Sequence, residues 1–263
     1  MHDLAFVVAG FGVGLIVGLT GVGGGSLMTP ILIFFFGVKP YLAVGTDLLF
    51  AAATKLGGTV TLTRQRLVPW RVVGTLCLGS IPAALLTLWA LHQAGPASAG
   101  VQKLMTTTLG AALLLTAAAS LYKAIRGRQL PRTLRADQEE AATRPRHVLL
   151  PVALGAVIGT LVTLTSVGAG AIGVTVLLLL YPLLPLPRIV AADIAYAVPL
   201  TLVAGLGHAS MGSVDWPLLA KLLAGSLPGI WLGTRLVSRT PERWIRALLS
   251  VLLAWAGTKL VMA

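Results

Sequence analysis

The chain of 263 residues is 56% hydrophobic and only 11% charged, with a mean hydropathy of +0.90. A soluble domain carries about 25% charged residues, so this composition excludes a soluble globular protein and describes a polytopic α-helical membrane protein. A formal net charge of +12 would suggest nucleic acid for a soluble chain. Here most Lys and Arg stand in short loops beside apolar segments, the positive-inside pattern, so the expected partner is the lipid bilayer and not nucleic acid.

The N-terminus has no basic leader, and its apolar run is longer than the core of a secretory signal, so no cleavable signal peptide is expected. Stretches able to span a bilayer at about 17–25 residues each fall at 44–63, 72–92, 99–122, 189–209, 216–234 and 244–262. Two longer apolar runs, 4–37 and 147–183, carry glycine clusters. A straight helix over 4–37 would be about 51 Å long, too long for one crossing of a core ~30 Å thick and short for two. A hairpin is therefore expected, two helical arms meeting at Gly21–Gly25 near mid-membrane, either crossing fully or re-entering. The sole cysteine, Cys77, lies in an apolar segment and reads as a packing residue.

Thr20-Gly21-Val22-Gly23-Gly24-Gly25 recurs as Thr165-Ser166-Val167-Gly168-Ala169-Gly170. Val44-Gly45-Thr46-Asp47 matches Val190-Ala191-Ala192-Asp193, Trp70 matches Trp216, and Gly79-Ser80-Ile81-Pro82 matches Gly225-Ser226-Leu227-Pro228. The chain thus divides into homologous membrane repeats, 1–123 and 147–263, joined by a basic cytoplasmic linker at 124–146, within one integral membrane domain. Arg126, Arg128, Arg132, Arg135, Arg144 and Arg146 crowd that linker.

Loop charges set the relative orientation of the repeats. Arg64, Arg66 and Arg71 follow the first Asp-bearing helix, whereas the matching 210–215 holds only Asp215. Residues 92–98 hold no Lys or Arg, whereas the matching 235–246 holds Arg235, Arg239, Arg243 and Arg246. Matching loops then face opposite sides, and the repeats have inverted topology with both termini outside. The expected fold is all-α: two inverted repeats, each a Gly-broken helical hairpin plus three transmembrane helices, 8–10 membrane segments in all.

Paired interruptions in two halves point to a transporter's binding site; the competing reading is that these glycines only let helices pack closely. A helix N-terminus after a glycine-rich turn offers free N–H groups to anionic oxygens. Gly21, Gly23, Gly24, Gly25, Gly168 and Gly170 are therefore candidate substrate-binding positions, with Ser26, Thr29, Thr165 and Ser166 as hydroxyl donors. Asp47 and Asp193 lie just inside apolar helices, where a charge costs about 2.5–3.5 kcal/mol or more. They either bind a coupled proton or cation or cap their helices. Lys55, a little over two turns deeper than Asp47, is either a counter-ion for an anionic substrate or a partner for Asp47; its repeat counterpart is Thr201. His208 and Lys221 lie near outer helix ends, where snorkelling explains them.

Gly168-Ala169-Gly170-Ala171-Ile172-Gly173 spells G-x-G-x-x-G, but no strand precedes it, so it is no dinucleotide site. No cofactor, metal site or enzymatic activity is expected, since no nucleophile stands within helical reach of a base.

These motifs, Gly18-Leu19-Thr20-Gly21-Val22-Gly23-Gly24-Gly25-Ser26 with Pro30, Gly45-Thr46-Asp47, Ser166–Gly170 and Gly225–Gly229, resemble the sulfite exporter TauE/SafE family of bacterial membrane permeases over essentially the whole chain. The resemblance implies a multi-pass carrier of the bacterial inner membrane that moves sulfite or organosulfonates, an exporter with import as the alternative. A passive small-anion channel is the other reading. The expected partners are a small anionic substrate, a coupled proton or cation, and, as one option, a second copy in a homodimer.

Overall fold

The computed structural model describes residues 2–20, 25–125, 149–168, 170–236 and 242–262. Among these residues there are ten helices and no strand: α1 (His2–Thr20), α2 (Gly25–Phe34), α3 (Pro40–Arg64), α4 (Trp70–Ala94) and α5 (Ala99–Ile125), then α6 (Leu149–Thr165), α7 (Ala171–Leu180), α8 (Leu186–Ser210), α9 (Trp216–Leu236) and α10 (Glu242–Met262). Each expected apolar stretch forms one helix, and each long run forms two. Most of the basic linker lies outside the described residues.

Prolines help to set the starts. Pro40 occupies the first turn of α3, and Pro69 and Pro185 precede α4 and α8. A fixed φ suits a first turn, whose N–H groups have no partner within the helix. Three helices, at Trp70–Ala94, Ala99–Leu121 and Leu186–Ser210, are both long and apolar enough to cross a membrane. Apolar side chains such as Leu78, Leu86 and Trp89 point outward from the bundle, as lipid-facing residues do.

α1 and α2 fold back on one another. The rings of Phe6 in α1 and Phe36 just beyond α2 lie 4.5 Å apart between centroids, so α2 returns to the level where α1 began. From Phe6 to Thr20 is about 21 Å along the helix at ~1.5 Å per residue, roughly two-thirds of a bilayer core. The arms are unequal, 19 residues in α1 and 10 in α2. The second arm is short because the apolar residues after Phe34 form a turn. There the Val38 N–H reaches back to the Leu32 carbonyl (3.0 Å) around Gly37 at φ +64°, a closure that glycine permits. In the second half α6 has 17 residues and α7 again 10.

The halves are interlocked. α1 packs along α9, and α6 along α4, so each half lends its first helix to the other. Gly10 and Gly14 lie against the backbone of Leu222 and Ser226, while Gly155 and Gly159 lie against that of Leu76 and Ser80. Gly225 and Gly79 receive α1 and α6 in the same way. A Cβ at any of these positions would strike the partner's backbone. Exchanging the halves maps one helix pair onto the other, residue for residue, and both pairs run parallel.

α3 and α8 form the centre and run antiparallel. Gly45 faces Ser213 and His208, Leu49 faces Gly205, and Gly58 faces Ile194, so numbers rise along one helix as they fall along the other. Two apolar clusters flank this pair: one joins α3 and α8 to α4, α5, α6 and α7, the other joins α3 to α1, α2, α5, α9 and α10.

Candidate functional site

The second hairpin shows how sequence breaks a helix. α6 ends at Thr165; Ser166 then takes φ +58°, and Gly168 and Gly170 take φ +133° and +143° before α7 begins. The left-handed region suits glycine and is uncommon for serine. Thr165 holds the break together. Its hydroxyl donates to the Leu161 carbonyl (2.7 Å) and accepts from the Val167 N–H (3.1 Å). The glycines of the first break, Gly21, Gly23 and Gly24, lie outside the described residues. Gly25 opens α2, and Ser26 follows it in the first turn.

Three expected residues converge. Asp47 of α3 has no solvent exposure, and the Thr29 hydroxyl of α2 donates to its Oδ2. Ser166, at the break of the second hairpin, faces the same carboxylate. Its hydroxyl lies within electrostatic reach of that carboxylate, while the Ser166 hydroxyl and Asp47 Oδ1, both buried, close no short hydrogen bond. Asp47 therefore stands where the first and second hairpins meet. The adjacent Thr46 hydroxyl accepts from the Asp215 N–H (3.0 Å), which ties the start of α3 to the loop after α8.

Lys55 lies near the middle of the α3–α8 pair, and Asp193 lies toward the end away from Asp47. Lys55 lies about 12 Å along α3 from Asp47 at ~1.5 Å per residue and is 7% exposed. It feels Asp193 most strongly and Asp47 second. Asp193 is buried against the first turn of α7, where Oδ1 meets the position a Cβ on Gly173 would take. Two carboxylates thus share one ammonium. Thr201, the counterpart of Lys55, spends its hydroxyl on the Ala197 carbonyl at 2.8 Å, so the charge arrangement is asymmetric although the helices are paired.

His208 departs from its expected role. It does not snorkel; it has no exposure at all, and its Nε2 lies 3.0 Å from the Thr163 carbonyl in the last turns of α6. The cause is Gly45, whose missing side chain lets the His208 Cβ approach α3. His208 thus pins α8 to the second hairpin, and its Nδ1 is buried without a partner. Lys221 is half-buried on α9. Sequence reasoning also passed over Tyr196, fully buried near Asp193 and Cys77, whose counterpart is Phe50.

The family described as sulfite exporter TauE/SafE matches residues 6–260. The chain is 35% identical to the probable membrane transporter protein YjnA of Bacillus subtilis (strain 168), over 98% of its own length and 100% of the relative's. It is 26% identical to the probable membrane transporter proteins YunE and YdhB of the same organism, each over nearly the full length of both chains. No solved structure matches.

Proposed function

Because the chain belongs to the TauE/SafE sulfite exporter family, we propose that this membrane transporter is a secondary carrier exporting small sulfur-containing oxyanions, such as sulfite or organosulfonates, across the bacterial inner membrane. The observation that carries this reading is the buried group Asp47–Lys55–Asp193 on the central helix pair, flanked by the hairpin breaks. Buried ionisable groups in a membrane mark substrate or ion paths. Lys55 supplies positive charge for the anion, with N–H groups from the first turns of α2 and α7, the glycines of both breaks, and Ser26 and Thr165 nearby in the chain. Asp47 and Asp193 are the coupling carboxylates.

The antiparallel course of the equivalent helices α3 and α8 supports inverted repeats, 1–123 and 147–263, around the linker 124–146. The hairpin depth favours re-entry over a full crossing. Loop charges put Arg64–Arg71, the linker and Arg235–Arg246 in the cytoplasm and both termini outside. Trp70 and Trp216, exposed at the starts of α4 and α9, then lie in the aromatic belts of opposite faces.

The test is flux of radiolabelled sulfite, sulfoacetate, taurine and sulfate in proteoliposomes, with and without imposed ion gradients. Saturable flux of one sulfur anion that follows a gradient is the expected result. Flux that neither saturates nor follows a gradient would make the protein a channel, and no flux of any sulfur anion would remove the substrate class.

A further inference from the structure

We propose that Asp47, Thr29 and Ser166 form a sodium-binding site where the two hairpins meet. The proposal deepens the transporter reading by naming the coupling ion, and it rests on that reading for its role though not for its existence.

The first argument is a charge count. Asp47 and Asp193 share Lys55, and Lys55 acts more strongly on Asp193. The ammonium tethered to α3 thus serves the second repeat's carboxylate. For Asp47 the position equivalent to Lys55 is held by Thr201, whose hydroxyl is turned to its own helix, so Asp47 has the weaker share of Lys55. A buried carboxyl group is either protonated or paired with a cation. His208, level with Asp47 on the antiparallel α8, has its Nε2 at the Thr163 carbonyl.

The second argument is the ligand set. Thr29 satisfies Oδ2 of Asp47, whereas Oδ1 and the Ser166 hydroxyl are both buried and close no short hydrogen bond. One belongs to α3 and the other to the second hairpin, and they face one another. Carboxylate and hydroxyl oxygens are hard donors that suit a hard cation, and the carboxylate repels an anionic substrate. α6 ends at Thr165, so the partial negative charge of its C-terminus also falls beside Ser166. Broken helices in other carriers hold sodium ions with such ends. Asp47 and Thr29 are 0% exposed and Ser166 4%, so the ion must exchange its water for these oxygens; a carboxylate is a strong-field ligand that offsets the larger dehydration cost of the smaller sodium ion better than that of potassium.

The consequence is an unequal pair: one repeat carries its cation on a tether, the other takes an exchangeable one. Because Asp47 touches α2 and the second hairpin at once, sodium would draw the two repeats together.

The test is thermal unfolding of the purified full-length protein, followed by tryptophan fluorescence, in sodium, potassium and choline chloride at equal ionic strength and constant pH. A saturable rise in Tm specific to sodium is expected. Asp47→Asn should abolish it, and Ser166→Ala should raise the half-saturating sodium concentration by about tenfold or more; Thr201→Ala should leave it unchanged. If Asp47→Asn does not fold, Ser166→Ala decides. No sodium-specific shift in the wild type, or an undiminished shift in Ser166→Ala, would overturn the proposal. So would stabilisation that follows pH alone, which would make the ion a proton. Unfolding needs no substrate, so sodium binding without sulfur-anion flux would uphold the site and overturn the substrate class instead.

Discussion

Thr29 donates its hydroxyl hydrogen to Asp47, joining α2 to α3 inside the bundle. Removing one partner of a buried hydrogen bond leaves the other to bear its desolvation, at about 1–3 kcal/mol. Thr29→Val keeps the shape and deletes the donor. We expect it to lower stability by that amount in denaturant unfolding, while Thr29→Ser recovers most of the loss.

Asp193 and Asp47 both act electrostatically on the buried Lys55. Leaving a buried charge without its opposite charge costs up to about 3–5 kcal/mol. Lys55→Met should therefore lower Tm sharply and abolish transport. Adding Asp193→Asn to Lys55→Met should restore much of the Tm without restoring flux. Recovery of flux in the double variant would reduce Lys55 to a structural role.

Gly12 and Gly14 lie on the same helix with opposite surroundings. A Cβ at Gly14 would enter the backbone of Ser226, whereas one at Gly12 would meet nothing within 4 Å. Gly12→Ala should be neutral or stabilising by up to about 1 kcal/mol from helix propensity. Gly14→Ala should destabilise and reduce the yield of folded protein in size-exclusion chromatography, because α1 must move off α9. Gly159→Ala, its equivalent in α6, should behave alike.

His208 reaches the Thr163 carbonyl through one ring nitrogen. His208→Ala leaves that carbonyl unpaired and opens a void, for a loss of about 1–3 kcal/mol from the hydrogen bond alone. His208→Gln, which keeps a donor of similar reach, should recover part of it. Equal unfolding curves for the two variants would show that the hydrogen bond contributes nothing.

The helices were legible because apolar length, proline and glycine act locally. The span expected at 44–63 is α3 at Pro40–Arg64, and Gly168 and Gly170 fall at the break between α6 and α7. What stayed hidden depends on which helix covers which. Position along a run does not tell which face a residue occupies, so His208 read as an end residue although α3 and α6 enclose it. Gly45, one turn from it across the helix pair, was the available signal. Ser166 and Thr29 read as separate hydroxyls, since no local pattern says that two hairpins share one carboxylate. The helix-packing glycines Gly10, Gly14, Gly155 and Gly159 form small-xxx-small spacings, yet that spacing does not name the partner helix.

The exchange of first helices between repeats constrains how the protein is made. α1 leaves the ribosome first, and its partner α9 is among the last segments to follow. Until α9 is inserted, the glycine face of α1 has only lipid to touch, and lipid cannot fill the groove that the backbone of Leu222 and Ser226 will fill. The same delay holds for the gap between α3 and α8, which closes only when the second repeat arrives. Maturation is therefore a late event in the bilayer. The nascent first half waits as an unfinished template, and quality control has a long interval in which to recognise a chain whose second half has failed.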